Sequence, residues 1–256
     1  MHTKVYVLTL LIVSIIIAQD WNYSADIAEL KTINNEKVKQ FDGNVVINKD
    51  NLQLTTKKAI QYVDKNEIHL YDDIVMIDGD NIITCDQLIY YINDEFCIAK
   101  HNVTLNQSNN IIKSDTLFYW DIKDSLKAIG NIRLNQNNNR RRLLSNEMHL
   151  FNSDSITQIL ELSKSAEVYS LTESRIAENQ PFMKFEDIMT GKKVKAIIAK
   201  DTIRTLNIYG MATANYNVIQ DSLLMGLNNV SGDSILMNFN KGNLKFHIFF
   251  KLLLGN

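Results

Sequence analysis

The chain has 256 residues, 45% of them hydrophobic, an ordinary composition that fits one large or two modest domains. Its formal net charge of -2 excludes a strong general attraction to polyanions or to an acidic membrane surface. There is one proline, Pro181, and there are nine glycines, so Asn and Asp must supply most of the left-handed backbone that turns require.

Lys4 precedes an apolar run from Val5 to Ala18, interrupted only by Thr9 and Ser14, before polar sequence begins at Gln19. This run is shorter than the roughly 20 residues that a bilayer span needs. A basic start, a short apolar centre and the small Ala18 predict a cleaved secretory signal over residues 1–18. An uncleaved anchor is the alternative, because Ile16 is a poor residue two positions before the cut. Residues 19–256 are expected to form a single domain.

Residues 22–38 read as a leading half-unit, since Ala25-Asp26 echoes Cys85-Asp86 and Ser114-Asp115 further on. From about 41 to 151 one phrase returns at a strict 29-residue step. It reads Gly43-Asn44-Val45-Val46-Ile47, Asp72-Asp73-Ile74-Val75-Met76, His101-Asn102-Val103-Thr104-Leu105 and Gly130-Asn131-Ile132-Arg133-Leu134. Self-similarity at this period signals stacked units, none able to bury its apolar face alone. Apolar residues alternate within each unit, which predicts strands. The step aligns Val45, Ile74, Val103 and Ile132 in one column and Ile47, Met76, Leu105 and Leu134 in a second. A following strand adds Leu54, Ile83 and Ile112, and then Ala59, Leu88 and Leu117.

Chain reversals are expected at Lys49-Asp50-Asn51, Asp78-Gly79-Asp80, Gln107-Ser108-Asn109 and Gln136-Asn137-Asn138. The Asn and Asp rungs Asn44, Asp73, Asn102 and Asn131 are read as turn chemistry as well. The fourth unit is two residues longer at 139–142. Beyond 155 the step loosens, with strands at 166–169, 182–185, 194–198, 205–208, 214–218 and 234–239, and turns at Asn228-Asn229 and Lys241-Gly242. Phe246 to Leu254 is almost wholly apolar. Leucine-rich and helical repeats are excluded by spacing, so the fold class is all-β with stacked strands.

Cys85 and Cys97 sit in apolar strand-like runs. If Asn93-Asp94 closes a hairpin, Cys97 lies opposite Tyr90, so two buried thiols are expected rather than a disulfide. Two cysteines without nearby histidines predict no metal site. The sequence lacks G-x-S-x-G, H-E-x-x-H and a Walker loop, so no enzyme and no cofactor are expected. His69, His101, His149 and His247 are scattered. Asp86 and Asp115 are read as capping turns, and Tyr62, Tyr91 and Trp120 as a packing ladder rather than a nucleic-acid platform. Arg140, Arg141 and Arg142 form the one basic run, either a solvated turn or a contact for an anionic headgroup.

The phrases Phe41-Asp42-Gly43-Asn44-Val45, Thr84-Cys85-Asp86-Gln87-Leu88-Ile89-Tyr90-Tyr91 and Ala128-Ile129-Gly130-Asn131-Ile132 resemble the OstA/LptA-like family of lipopolysaccharide transport proteins. So do Tyr209-Gly210-Met211-Ala212-Thr213-Ala214-Asn215-Tyr216, Met225-Gly226-Leu227-Asn228 and Ser231-Gly232-Asp233-Ser234-Ile235, and the likeness covers most of residues 22–245. His101 and Asp72 depart from the usual Gly, Met211 from an Asn, and no glycine-rich closing strand is present. The resemblance implies a β-jellyroll shaped as an open trough, in the periplasm, carrying the acyl chains of lipid A. The apolar residues that would face lipopolysaccharide in such a trough are Val45, Ile47, Ile74, Met76, Ile83, Leu88, Val103, Leu105, Ile112, Leu117, Ile132 and Leu134. Implied partners are inner-membrane and outer-membrane components of the export machine, with head-to-tail self-association through exposed strand edges and no nucleic acid. A membrane-anchored LptC-like component and a structural or adhesive β-solenoid with a closed core remain as rival readings.

Overall fold

The computed structural model describes residues 21–120, 123, 125–136, 139–199, 202–240 and 243–245. The expected signal at 1–18, the turn at 241–242 and the apolar stretch 246–254 lie outside them. Strands follow one another along the chain: β1 (Asn22–Ser24), β2 (Ile27–Ile33), β3 (Glu36–Lys49), β4 (Leu52–Tyr62), β5 (Glu67–Asp78), β6 (Asn81–Tyr91), β7 (Phe96–Gln107) and β8 (Asn110–Trp120). They continue as β9 (Ser125–Gln136), β10 (Arg141–Asp154), β11 (Thr157–Ser174), β12 (Met183–Ala199), β13 (Thr202–Gln220), β14 (Leu223–Asn240) and β15 (Asn243–Lys245). All belong to one antiparallel sheet in which each strand from β3 onward pairs with the next. The sheet is open, not closed into a barrel. β1 and β2 both pair with β3, at opposite ends, and act as one edge strand broken at Ala25 and Asp26.

The sheet is folded lengthwise because the strands bend. Two consecutive residues take positive φ in the middle of every odd-numbered strand from β3 to β13: Gly43/Asn44, Asp72/Asp73, His101/Asn102, Gly130/Asn131, Lys164/Ser165 and Gly210/Met211. The pairing register slips at each of these corners, two residues facing one on the neighbour. Such bulges sharpen local bend and twist. The rungs are therefore corners inside strands, not chain reversals, and this corrects the sequence reading. Left-handed backbone is the shared requirement, and Asn, Asp and Gly meet it in either setting. Reversals do fall at Asp50-Asn51, Gly79-Asp80 and Ser108-Asn109, between the strands where the sequence placed them. The turn expected at Asn228-Asn229 is instead the interior of β14, with Asn228 opposite Tyr216, and the reversal occurs at Asp221 and Ser222, both with positive φ.

Side chains hold the corners. Asn44 Nδ2 donates to Asp26 at 2.9 Å, Asn102 Nδ2 to Asp86 at 2.7 Å and Asn131 Nδ2 to Asp115 at 2.8 Å. Asp26 thus occupies the place of Asp86 and Asp115, as the leading half-unit implied. At the fourth corner the rung is Asp73, which pairs with Lys57. On the inner side a buried hydroxyl meets the carbonyls that the bulge frees. Thr56 Oγ1 donates to Tyr71 and Asp72 carbonyls at 2.6 and 2.9 Å, Ser114 to Thr116 at 3.2 Å and Ser145 to Glu147 at 3.1 Å. Cys85 stands in the same column, with backbone groups of Gln87 and Lys100 in hydrogen-bonding reach of its sulfur.

Each bent strand thus contributes to two facing walls, and one continuous apolar core lies between them. A buried carbonyl left without its donor costs on the order of 1–3 kcal/mol. Thr56→Val is therefore expected to lower stability by about 2 kcal/mol, read from the urea midpoint, whereas Cys85→Ser, which restores the hydroxyl of its column, is expected to stay within about 1 kcal/mol of wild type.

Candidate functional site

Repetition fills the space between the walls over β3 to β10. Rows run straight across the stack: Leu70 faces Leu88, which faces Ala99, then Leu117, Ala128, Met148 and Leu162. A second row on the other wall runs Met76, Ile83, Leu105, Ile112, Leu134 and Leu143. All twelve residues expected in the trough lie in this interior, and their exposure is only 0–4%. The structure brings them together as a packed core.

Polar contacts clasp the two walls where their hairpin ends approach. Tyr119 on one wall donates to Asp78 at 3.1 Å and accepts from Asn81 at 3.0 Å on the other. Lys49 reaches Glu95 at 3.2 Å, and its ammonium lies 5.6 Å from the ring centre of Trp21. Trp21 in turn meets Tyr90 edge-on at 5.5 Å. The aromatic ladder lies outside: Phe96 stacks on Tyr91 at 5.4 Å and on Trp120 at 4.6 Å.

Cys97 faces Tyr90, and both cysteines are free and buried. Burial pushes the Cys85 thiol up to about 12, and that of Cys97 is raised by the same cause. Thiolate is the reactive form, so neither is a nucleophile at neutral pH. Among the described residues no group of three or more His, Cys, Asp or Glu is placed to hold a metal ion.

Room between the walls is found further along. β11 to β14 are 17 to 19 residues long, against 11 and 12 for β8 and β9. Among these strands lies a cavity of ≈ 350 Å³, lined by Val168, Met189, Leu206, Val218, Phe239 and neighbours. Arg141, Ser170 and Asp187 form one row across it, on three successive strands.

The three arginines separate by alternation. Arg140 pairs with Glu173 at 3.7 Å; Arg142 lies over the Tyr169 ring at 4.1 Å and within 3.8 Å of Glu186. Arg141 points the other way, into the cavity, and burial lowers its pKa from the ordinary arginine value. The cavity was not anticipated from the sequence. Arg141 was legible there in one respect, since it precedes Leu143 by two residues and so shares its inward face.

With both thiols protonated, iodoacetamide at about pH 8 should label neither cysteine in the native protein and both in urea, as counted by mass spectrometry. Rapid native labelling of Cys85 would contradict the burial at its corner.

No curated protein matches the chain. The model of the family described as OstA-like protein matches residues 22–125, the span from β1 to the first residue of β9. The bent-strand sheet and this match agree: residues 22–125 are similar to the OstA-like family.

Proposed function

We propose that this protein is a non-enzymatic carrier of lipopolysaccharide in the periplasm, holding acyl chains between its two walls and bridging inner and outer membranes. The observation that carries the reading is the single apolar interior, which runs the length of the stack and becomes a cavity over β10 to β14. The OstA-like match over residues 22–125 supports the same substrate class.

Magnitudes favour an interior that lipid can enter. A neutral hydrogen bond contributes about 1 kcal/mol, and a partly exposed ion pair such as Lys49–Glu95 at most about that. Each acyl methylene transferred from water gains ~0.8 kcal/mol, so ten gain on the order of 8 kcal/mol. A chain entering at the cavity can therefore offset the clasps it displaces along the packed rows. Equivalent rows also make successive positions nearly equal in free energy, so a chain moves along them without a preferred direction. Direction must then come from a partner that consumes energy.

The β2 edge offers strand pairing to such a partner or to a second copy, with Leu30 83% exposed on it. Leu30→Asp is expected to weaken self-association in analytical ultracentrifugation; an unchanged sedimentation profile would remove this edge from the reading.

The dense packing of the twelve trough residues favours one rival, a structural β-solenoid with a closed core. Photo-crosslinking side chains at Met76, Leu105 and Met189 separate the two. Lipopolysaccharide should be captured at all three and not at Lys113 on the outer surface. Labelling confined to Lys113, or equal at every position, would favour the closed solenoid.

A further inference from the structure

The cavity over β10 to β14 has a definite polarity. Its wall is apolar along Val168, Met189 and Phe239, and it carries one cation and one anion. Asp187 is already served by neutral donors: Thr172 Oγ1 at 3.2 Å, and the backbone nitrogen and Nδ2 of Asn217, each at 2.8 Å. Register places Ser170 between Asp187 and Arg141, so the two charges stand two strands apart, roughly 10 Å by the ordinary strand spacing. No carboxylate among the described residues lies within ion-pair distance of Arg141, whereas Arg140 and Arg142 each have one. A guanidinium turned into this cavity with no carboxylate in ion-pair reach is a fork of donors awaiting a carboxylate or phosphate.

Volume limits the remainder of the ligand. At ≈ 350 Å³ the cavity lies near the lower end of small-molecule sites. We propose that it holds one acyl chain of roughly ten to twelve carbons, at about 30 Å³ for each water-sized group, whose anionic end sits on Arg141. This rests on the lipid-carrying reading and narrows it: the site takes a single chain with a single anion, not a whole multi-chain lipid. A free fatty acid and the chain and phosphate of a larger amphiphile offer the same chemistry. Val168, Met189 and Arg141 all lie beyond the segment that matches the OstA-like model.

Titration calorimetry of the full chain with dodecanoate, dodecyl phosphate and neutral dodecanol tests this. Both anions are expected to bind about tenfold or more tightly than dodecanol. Tighter binding of dodecanoate points to a free fatty acid, and tighter binding of dodecyl phosphate to the phosphorylated amphiphile. Arg141→Gln should bring the anions down to the dodecanol level, and Arg141→Lys should recover part of the difference. Equal binding of all three ligands to the wild type overturns the proposal without recourse to any variant, and so does an Arg141→Gln protein that keeps the preference. Lipopolysaccharide capture at Met76 is read in parallel on the wild-type chain. Its absence with the anion preference intact would refute the transport reading alone; its presence with no anion preference would refute the Arg141 site alone.

Discussion

Everything in this fold depends on a strand that turns a corner without ending. Two successive left-handed residues are unfavourable for L-amino acids, and most such positions elsewhere are single glycines. Here glycine supplies only the first residue of three corners, Gly43, Gly130 and Gly210. At Gly130 a Cβ would run into the Asp115 carboxylate, so the residue that permits the bend also makes room for its brace. Asp72 and His101 hold the same conformation with full side chains. The strain is offset by the Asn–Asp bonds outside the corner and the hydroxyl–carbonyl bonds inside it.

The bend explains how a sheet without a second layer acquires a core. A straight pair of twelve-residue strands would bury one face only against something else. After the corner, both halves of each strand keep their apolar residues on the same inner side, as with Ile68 and Leu70 before it and Ile74 and Met76 beyond it. Each unit is then half of a sandwich with itself, completed by its neighbours. Cys85 fits this account: it is a small polarisable group in a column otherwise occupied by Thr56, Ser114 and Ser145.

Much of this was legible in the sequence, because alternation and a fixed step report directly on facing residues. The columns at the 29-residue step, three of the hairpin ends and the Tyr90–Cys97 register all followed from counting. The corners were misplaced for a physical reason: Gly-Asn and Asp-Asp announce left-handed backbone, and that conformation serves a reversal and a bulge alike. Asn228-Asn229 misled in the opposite sense, as polar residues within a strand whose Asn228 side chain bonds the Tyr216 hydroxyl. The cavity had no motif. It lies among the long strands, enclosed by residues from β10 to β14, a matter of volume that no short phrase encodes.

Regularity and room are in this way opposed. Where the step is strict, the Ile, Leu and Met rows form a continuous buried core. The two-residue lengthening at 139–142 ends the strict step, and Arg141 faces inward on the strand where the cavity begins. From there the strands lengthen by about half and Arg175 bridges from the end of β11 to Leu223 at the start of β14, closing the far end of the enlarged wall. The same sheet thus carries a packed core along its length and adds a cavity over β10 to β14. A cavity of this size sits more readily at the irregular end, since one among strict repeats would recur in every unit.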